Sequence, residues 1–338
     1  MTGNLRNTLY LLSLSPSILV IAGNLYGGIF TLSNLVYSLV FLAIIEWLTP
    51  PFLSNIHTKK VDIIPQFIIL LHIPVQVITL GSLFFGIHEN IIQGPWVFCA
   101  ALSTGLTSGT SAIVISHELI HRKSKLNQAL GRFLLFTAGN IYFFIEHLKI
   151  HHKWVATAKD HSTAIKGESI YAFFVRSTFG QIKGAYTLEK ERLTKENAFS
   201  VSLENYVVRQ ICLQILVIAF LYITLGIYGP LAWLTQAFFA NFLLEYVNYI
   251  QHYGLIRDEK QRQSDEHSWD SEQFVSRFVL VDLSRHADHH TYASKPYHTL
   301  THSEISPKLP CGYAGLFFIA ATPPLWRKVM DNRIPGNK

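Results

Sequence analysis

The stretch QGPWVFCAALSTGLTSGTSAIVISHELIH, Gln93 to His121, decides the fold of this chain. From Gln93 to Ser116 it carries no charged residue, and that length exceeds the roughly 20 residues an α-helix needs to cross a bilayer. It then ends in His117 and His121. At i, i+4 these project from one face of the helix where it leaves the apolar layer. A membrane helix that terminates in paired imidazoles predicts an all-α integral membrane protein with its chemistry at one membrane face.

Working outward, five further segments have the same character, near Leu9–Leu25, Ile29–Leu48, Ile63–Phe85, Gln210–Ile227 and Leu231–Ile250. Six transmembrane helices in three hairpins are therefore expected. The first is read as a retained helix and not a cleaved leader, because another apolar span comes at once without a small-residue cleavage site. No Lys or Arg occurs between Asn7 and Thr58, Val61 and His121, or Gln210 and Ile256. A basic residue at the centre of a spanning helix costs about 2.5–3.5 kcal/mol, so this segregation is what a bilayer enforces. The short turns Tyr26-Gly27-Gly28, Gly86–Ile92 and Tyr228-Gly229-Pro230 also lack Lys and Arg, whereas Arg6, Lys59, Lys60 and everything basic after His121 lie on the other side. By the positive-inside rule both termini and the segments 117–209 and 251–338 are cytoplasmic, and they form a helical cap. Leu130–Ile145, which contains Arg132, Gly139 and Asn140, reads as a membrane-embedded or core helix. Thr187–Asn197 reads as a solvated amphipathic helix. No linker or repeat divides the chain, so residues 1–338 are expected to form one integrated domain.

Composition agrees. With 49% hydrophobic and only 15% charged residues, much of the surface faces lipid. The net charge of +6 fits membrane topology and does not call for a nucleic-acid partner. Cys99, Cys212 and Cys311 lie far apart and form no C-x-x-C pair, which excludes a disulfide framework and an iron–sulfur site in this chain. No nucleotide or flavin fingerprint occurs, so any electrons must come from a separate protein.

Nine of the 16 histidines fall into four groups: His117/His121, His147/His151/His152, His252, and His286/His289/His290. Each group follows or ends an apolar helix, with i, i+3 and i, i+4 spacings that put imidazoles on shared faces. Nine imidazoles exceed the octahedral set of one ion, so the pattern predicts two metals. Zinc is normally satisfied by four ligands, which leaves an all-nitrogen, ligand-rich, open site fitting redox iron. Glu118, Glu146, Asp160, Glu245, Asn248 and Asp288 lie close in sequence to these groups and are candidates to orient them from behind. Of the remaining histidines, His57, His88 and His302 read as surface residues and His72 as a packed intramembrane one. His161, His267 and His298 lie nearer the clusters.

His117-Glu118-Leu119-Ile120-His121 also spells H-E-x-x-H, the zinc-protease motif. An intramembrane protease would need only one more ligand and would leave at least six clustered histidines without purpose. A metal-binding membrane carrier is a third class, and against it stands the lack of ionisable residues strung across the spans.

The motifs resemble those of the membrane alkane 1-monooxygenase family, within the membrane fatty-acid desaturase and hydroxylase superfamily. The matching segments are His117-Glu-Leu-Ile-His-Arg122, Glu146-His-Leu-Lys-Ile-His-His152, Asn248-Tyr-Ile-Gln-His-Tyr-Gly-Leu255 and Arg285-His-Ala-Asp-His-His290, supported by Leu309-Pro-Cys-Gly-Tyr313 and Pro323-Pro-Leu-Trp326. The resemblance covers roughly Ser116–Asp331. It implies two iron ions held by the nine histidines, and O2-dependent hydroxylation of a terminal methyl of medium- or long-chain alkanes. It also implies a bacterial inner-membrane location and electrons from rubredoxin, or a ferredoxin-type donor, with its reductase. Where this chain has Arg122, Ile150 and Gln251, the alkane pattern usually has Lys, Gly and Glu. Arg122 and Gln251 look more like the related xylene methyl-hydroxylase subunits, so an aromatic methyl is the alternative substrate, with fatty-acid desaturation or decarboxylation further off. An apolar substrate would enter from lipid, and Tyr37 and Phe41, four apart on the second span, are candidate gauges of its length. A basic face near Arg122–Lys125 would receive an acidic electron donor.

Overall fold

Four helices begin where the sequence supplies a side chain for the free backbone N–H groups, at Asp62, Ser124, Ser169 and Asn205. The Asp62 side chain accepts from the Ile64 amide at 3.0 Å, and that of Asn205 accepts from Val207 and Val208 at 3.0 and 3.3 Å. The computed structural model describes residues 3–53, Asn55 and 62–336, and among these the chain is helical, with one isolated bridge between Asp270 and Lys308. His57, Lys59 and Lys60 lie outside the described residues.

Helices α1 (Leu5–Tyr26), α2 (Gly28–Leu48), α3 (Ile63–His88) and α4 (Pro95–Ile120) are long and apolar enough to cross a membrane. A fifth helix with those properties, Tyr206–Leu225, comes later in the chain. The segment read as a sixth span is a 25-residue helix, Tyr228–His252, which is not among the five helices apolar enough to cross. It is long enough, but Gln236, Asn241, Glu245 and Asn248 leave it less apolar than the other five. It tolerates them because Gln236, Glu245 and Asn248 are all buried against protein. In α4, 78% of the most apolar window is buried, against 22% in α2 and in Tyr206–Leu225, so α4 is the axis of the bundle. The Tyr228–His252 helix lies against it at a small-residue contact: a Cβ on Gly105 would come within 2.6 Å of the Gln236 carbonyl oxygen.

The expected helix Leu130–Ile145 is instead two helices. α5 (Lys125–Thr137) stops at Gly139, whose φ of +70° only glycine adopts without strain. Asn140 then caps the next helix, its side-chain oxygen accepting from the Tyr142 and Phe143 amides at 3.1 and 2.8 Å. This helix, α6, covers residues 143–154 as a turn Phe143–Glu146, a π-helical segment His147–His151 and a last turn His152–Trp154. α7 (Ile170–Lys195) contains most of the stretch read as solvated, yet Glu189 and Leu193 point inward and are buried. Numbering continues with α8 (Tyr206–Leu225), α9 (Tyr228–His252), α10 (Phe274–Val279), α11 (His286–Thr291), α12 (Tyr313–Ala320) and α13 (Pro323–Met330).

A network of buried ion pairs organises residues 272–285 and joins them to α1. Asp282 accepts from Arg6 on α1 at 2.7 Å and from Arg277 on α10 at 2.6 Å, and Arg285, just before α11, pairs with Glu272 at 2.9 Å. All five groups are shielded from solvent, where losing one partner would strand a buried charge at a cost of about 3–5 kcal/mol. Arg6 is therefore a tie between α1 and the segment leading into α11. His302, expected at the surface, is held against Glu272 at 2.9 Å. His72 is buried in α3 between Ser13 on α1 and Ser111 on α4, at 2.8 and 2.6 Å.

Candidate metal centre

The ends of α4, α6, α9 and α11 bring all nine clustered histidines together in two groups. His117, His121, His147, His152 and His289 form one, and His151, His252, His286 and His290 the other; within each, one ligand atom per residue lies within 4.8 Å of the rest. The division follows from helix geometry. A π segment bonds i to i+5 and so aligns residues five apart. The His152 amide accordingly bonds to the His147 carbonyl, and the Nε2 atoms of these two residues lie 3.1 Å apart. His151, four residues on, turns to the other group. α11 divides its three in the same way: His286 and His290, at i, i+4, share one group with Nε2 atoms 2.9 Å apart, while His289 reaches across to the first.

These contacts fit metal ligation. Two nitrogens bound at about 2.1 Å and at right angles on one ion are about 3.0 Å apart. The spacings are 2.9 Å for His121–His147, 3.1 Å for His147–His152 and 3.3 Å for His152–His289. Three more imidazole nitrogens, Nε2 of His117, His151 and His252, are buried with no hydrogen-bond partner. Buried polar atoms are rarely left so unless something binds them. Burial, reinforced by neighbouring imidazoles, pushes His147, His152, His286, His289 and His290 well below the ordinary histidine value. They are neutral at physiological pH and keep a lone pair for a metal. The donor set fits two nitrogen-loving ions.

Support from behind is selective. Asp160 accepts from His151 Nδ1 at 3.0 Å and is itself fixed by the Thr163 hydroxyl at 2.6 Å and, through its other oxygen, the Ser162 amide at 3.0 Å. Burial would raise this carboxyl, but His151 and these hydrogen bonds hold it below its ordinary value. The bond leaves the proton on Nδ1 of His151 and aims Nε2 at its group. His252 Nδ1 is oriented likewise by the His267 carbonyl at 3.2 Å. The other proximity candidates face elsewhere. Glu118 pairs with Arg122 at 2.9 Å, which also occupies the carboxylate an H-E-x-x-H protease would use as its base. Glu245 is held by Tyr142, Ser177 and Gln181, and Asn248 donates to it at 3.4 Å. Asp288 takes Lys295 and the Thr301 amide. Glu146 is buried with neither oxygen partnered, and burial raises its carboxyl well above the usual range.

A long cavity opens on the imidazoles of His117, His147 and His286 and runs between α2, α4, α9, α10 and α12. Its walls bound about 970 Å³ of empty space, open solvent at the mouth included. Leu39, Leu42, Leu106, Ile113, Leu243 and Val279 give it an apolar wall. Tyr37 and Phe41 do not line it. Residues Tyr37–Phe41 form a π segment that changes which face of α2 turns inward, so Ser38, Leu39 and Leu42 reach the cavity while Phe41 is 54% exposed. One contributor, Asp270, had no local signal in the sequence. The Asp270 carboxylate caps α11 through the Ala287 amide at 2.8 Å, and Gln251 and Tyr313 meet on the cavity wall.

The sequence model of the fatty acid desaturase family matches residues 94–318. Alkane 1-monooxygenase 1 of Pseudomonas aeruginosa is 35% identical over 79% of this chain and 72% of its own length. Alkane 1-monooxygenase 1 of Alcanivorax borkumensis is 38% identical over 71% of this chain and 61% of its own length. The xylene/toluene monooxygenase hydroxylase component of Pseudomonas putida is 29% identical over 76% of this chain and 70% of its own length.

Proposed function

The chain belongs to the fatty acid desaturase family, and from that membership and its cavity we propose that it is a membrane di-iron monooxygenase converting the terminal methyl of medium- or long-chain alkanes to 1-alkanols. The observation that carries this reading is the apolar cavity ending on neutral imidazoles of both histidine groups. The reaction consumes an alkane, O2, two electrons and two protons, and yields a 1-alkanol and water. Two iron ions held by the nine histidines would supply O2 reduction and hydrogen abstraction. The chain's own residues do the rest. The leucine and valine wall holds an extended alkyl chain with one methyl at the imidazoles and keeps water away. Asp160 and the His267 carbonyl fix two of the rings so that little reorganisation is needed.

The electron donor is proposed to be a rubredoxin or ferredoxin-type protein served by its own reductase. Of the nine histidines, His121 and His152 alone are not fully buried, and Lys153, Arg257 and Arg262 line a depression beside His152. Those cations, with Lys123 and Lys125 near His121, suit an acidic partner. The basic distribution of the sequence supports the bacterial inner membrane, with this face in the cytoplasm.

The similarity to the xylene/toluene component, together with Arg122 and Gln251, favours an aromatic methyl as the second reading. Cells expressing the protein and fed alkanes, xylenes and fatty acids together separate the two. A 1-alkanol is expected; a benzylic alcohol selects the second reading, and an unsaturated acid or alkene overturns both.

A further inference from the structure

Apart from its imidazoles, the cavity wall is apolar with one unfilled exception. Most of its polar side chains are engaged within the protein: Ser38 donates to Asn34 at 2.8 Å, Thr110 to the Leu106 carbonyl at 2.9 Å, and Ser276 to Glu46. Gln251 differs. It is fully buried, its Nε2 donates to the Tyr313 hydroxyl at 2.6 Å, and its Oε1 has no partner. The Tyr313 hydroxyl, having accepted that bond, has a hydrogen left to give. Turning the amide over reverses the roles and still leaves one polar valence of the pair open.

The pair is rigidly held. Trp269 donates its amide to the Gln251 carbonyl at 2.8 Å, and the Tyr313 amide donates to Ser276 at 2.7 Å. Gln251 immediately precedes His252, and both Gln251 and Tyr313 line the cavity on which His117, His147 and His286 also open. A buried acceptor without a partner is costly, and a purely apolar wall would avoid it. The cost is recovered if a ligand brings a hydroxyl.

We propose that Gln251, with Tyr313, forms a polar pole of the cavity that receives a hydroxyl group and so holds a 1-alkanol by a hydrogen bond that an alkane cannot make. The inference rests on the hydroxylase reading above. The hydroxyl donates to Oε1 while its own oxygen can accept from Tyr313, and no covalent step is involved. The chain would thereby retain its product longer than its substrate and present the hydroxylated carbon to the metal site a second time.

Equilibrium binding to the metal-loaded protein in nanodiscs, without reductant, tests this apart from turnover. The ligands are the n-alkanes from octane to hexadecane and the matching 1-alkanols, with empty nanodiscs as the partition reference. The quantity read is the ratio of alkanol to alkane affinity. Gln251→Met is expected to lower that ratio about five- to tenfold. Gln251→Glu, which keeps an acceptor, should retain the preference, and Tyr313→Phe should lose part of it. A ratio that is the same in the wild type, Gln251→Met and Tyr313→Phe overturns the inference, as does a parallel loss of both ligands. Should Gln251→Met not fold, an unchanged ratio in Tyr313→Phe is decisive against it. Failure of the wild type to bind either series overturns the hydroxylase reading itself, whereas alkane binding without discrimination overturns only the polar pole.

Discussion

Asp160 orients an imidazole of the candidate site, His151, in a way that the other acidic candidates do not. Removing it by Asp160→Ala leaves His151 free to turn or to adopt the other tautomer, and is expected to weaken metal binding about 10–100-fold with the fold retained. Chelator competition on the purified protein measures this, and unchanged affinity would remove Asp160 from the site. The histidine spacings were legible in the sequence because i, i+4 pairs at helix ends have little other reason to recur. Which residues stand behind them was not. Glu118, Glu245 and Asp288 are as close in sequence to a cluster as Asp160, yet they bond to Arg122, to α6 and α7, and to the 295–301 turn. Proximity along the chain constrains a side chain's position but leaves its direction open.

At the scale of elements, the departures from the sequence reading trace to π segments and to one glycine. The segments Tyr37–Phe41 and His147–His151 shift the inward face, which a uniform 3.6-residue period cannot anticipate. The first moved the cavity wall from Tyr37 and Phe41 to Leu39 and Leu42; the second parted His151 from His147. Gly139 was visible as a residue, but its positive φ was not. The five helices apolar enough to cross a membrane lie within about four residues of the segments expected from the sequence, since lipid imposes length and apolarity together. The seam between α4 and α9 gives a direct test. Gly105→Val should cost about 1–3 kcal/mol through contact with the Gln236 backbone, whereas Gly81→Ala, in open space on α3, should be neutral or stabilising. Thermal unfolding in detergent compares them, and equal effects would mean the seam is looser than described.

For the whole molecule, nine imidazoles gathered from four helices couple folding to pH. Burial holds His147, His286, His289 and His290 far below the ordinary value, so the folded chain binds fewer protons than the unfolded chain once pH drops below about 6.5. Stability should therefore be fully present above that pH and decline as the solution is acidified below it, with metal released in the same window. Melting curves between about pH 8 and 5 would record it, and a flat profile would contradict buried neutral ligands. Reversing charge at the depression beside His152, with Lys153→Glu and Arg262→Glu, should slow reduction by an acidic donor and blunt its salt dependence, read by stopped-flow. The central claim, that two histidine groups each hold an ion, is tested most directly by metal analysis of the purified wild type beside His290→Ala. Two iron ions per chain are expected in the wild type and a loss confined to one of them in the variant; a single ion per chain, or zinc bound to the exclusion of iron, would contradict it.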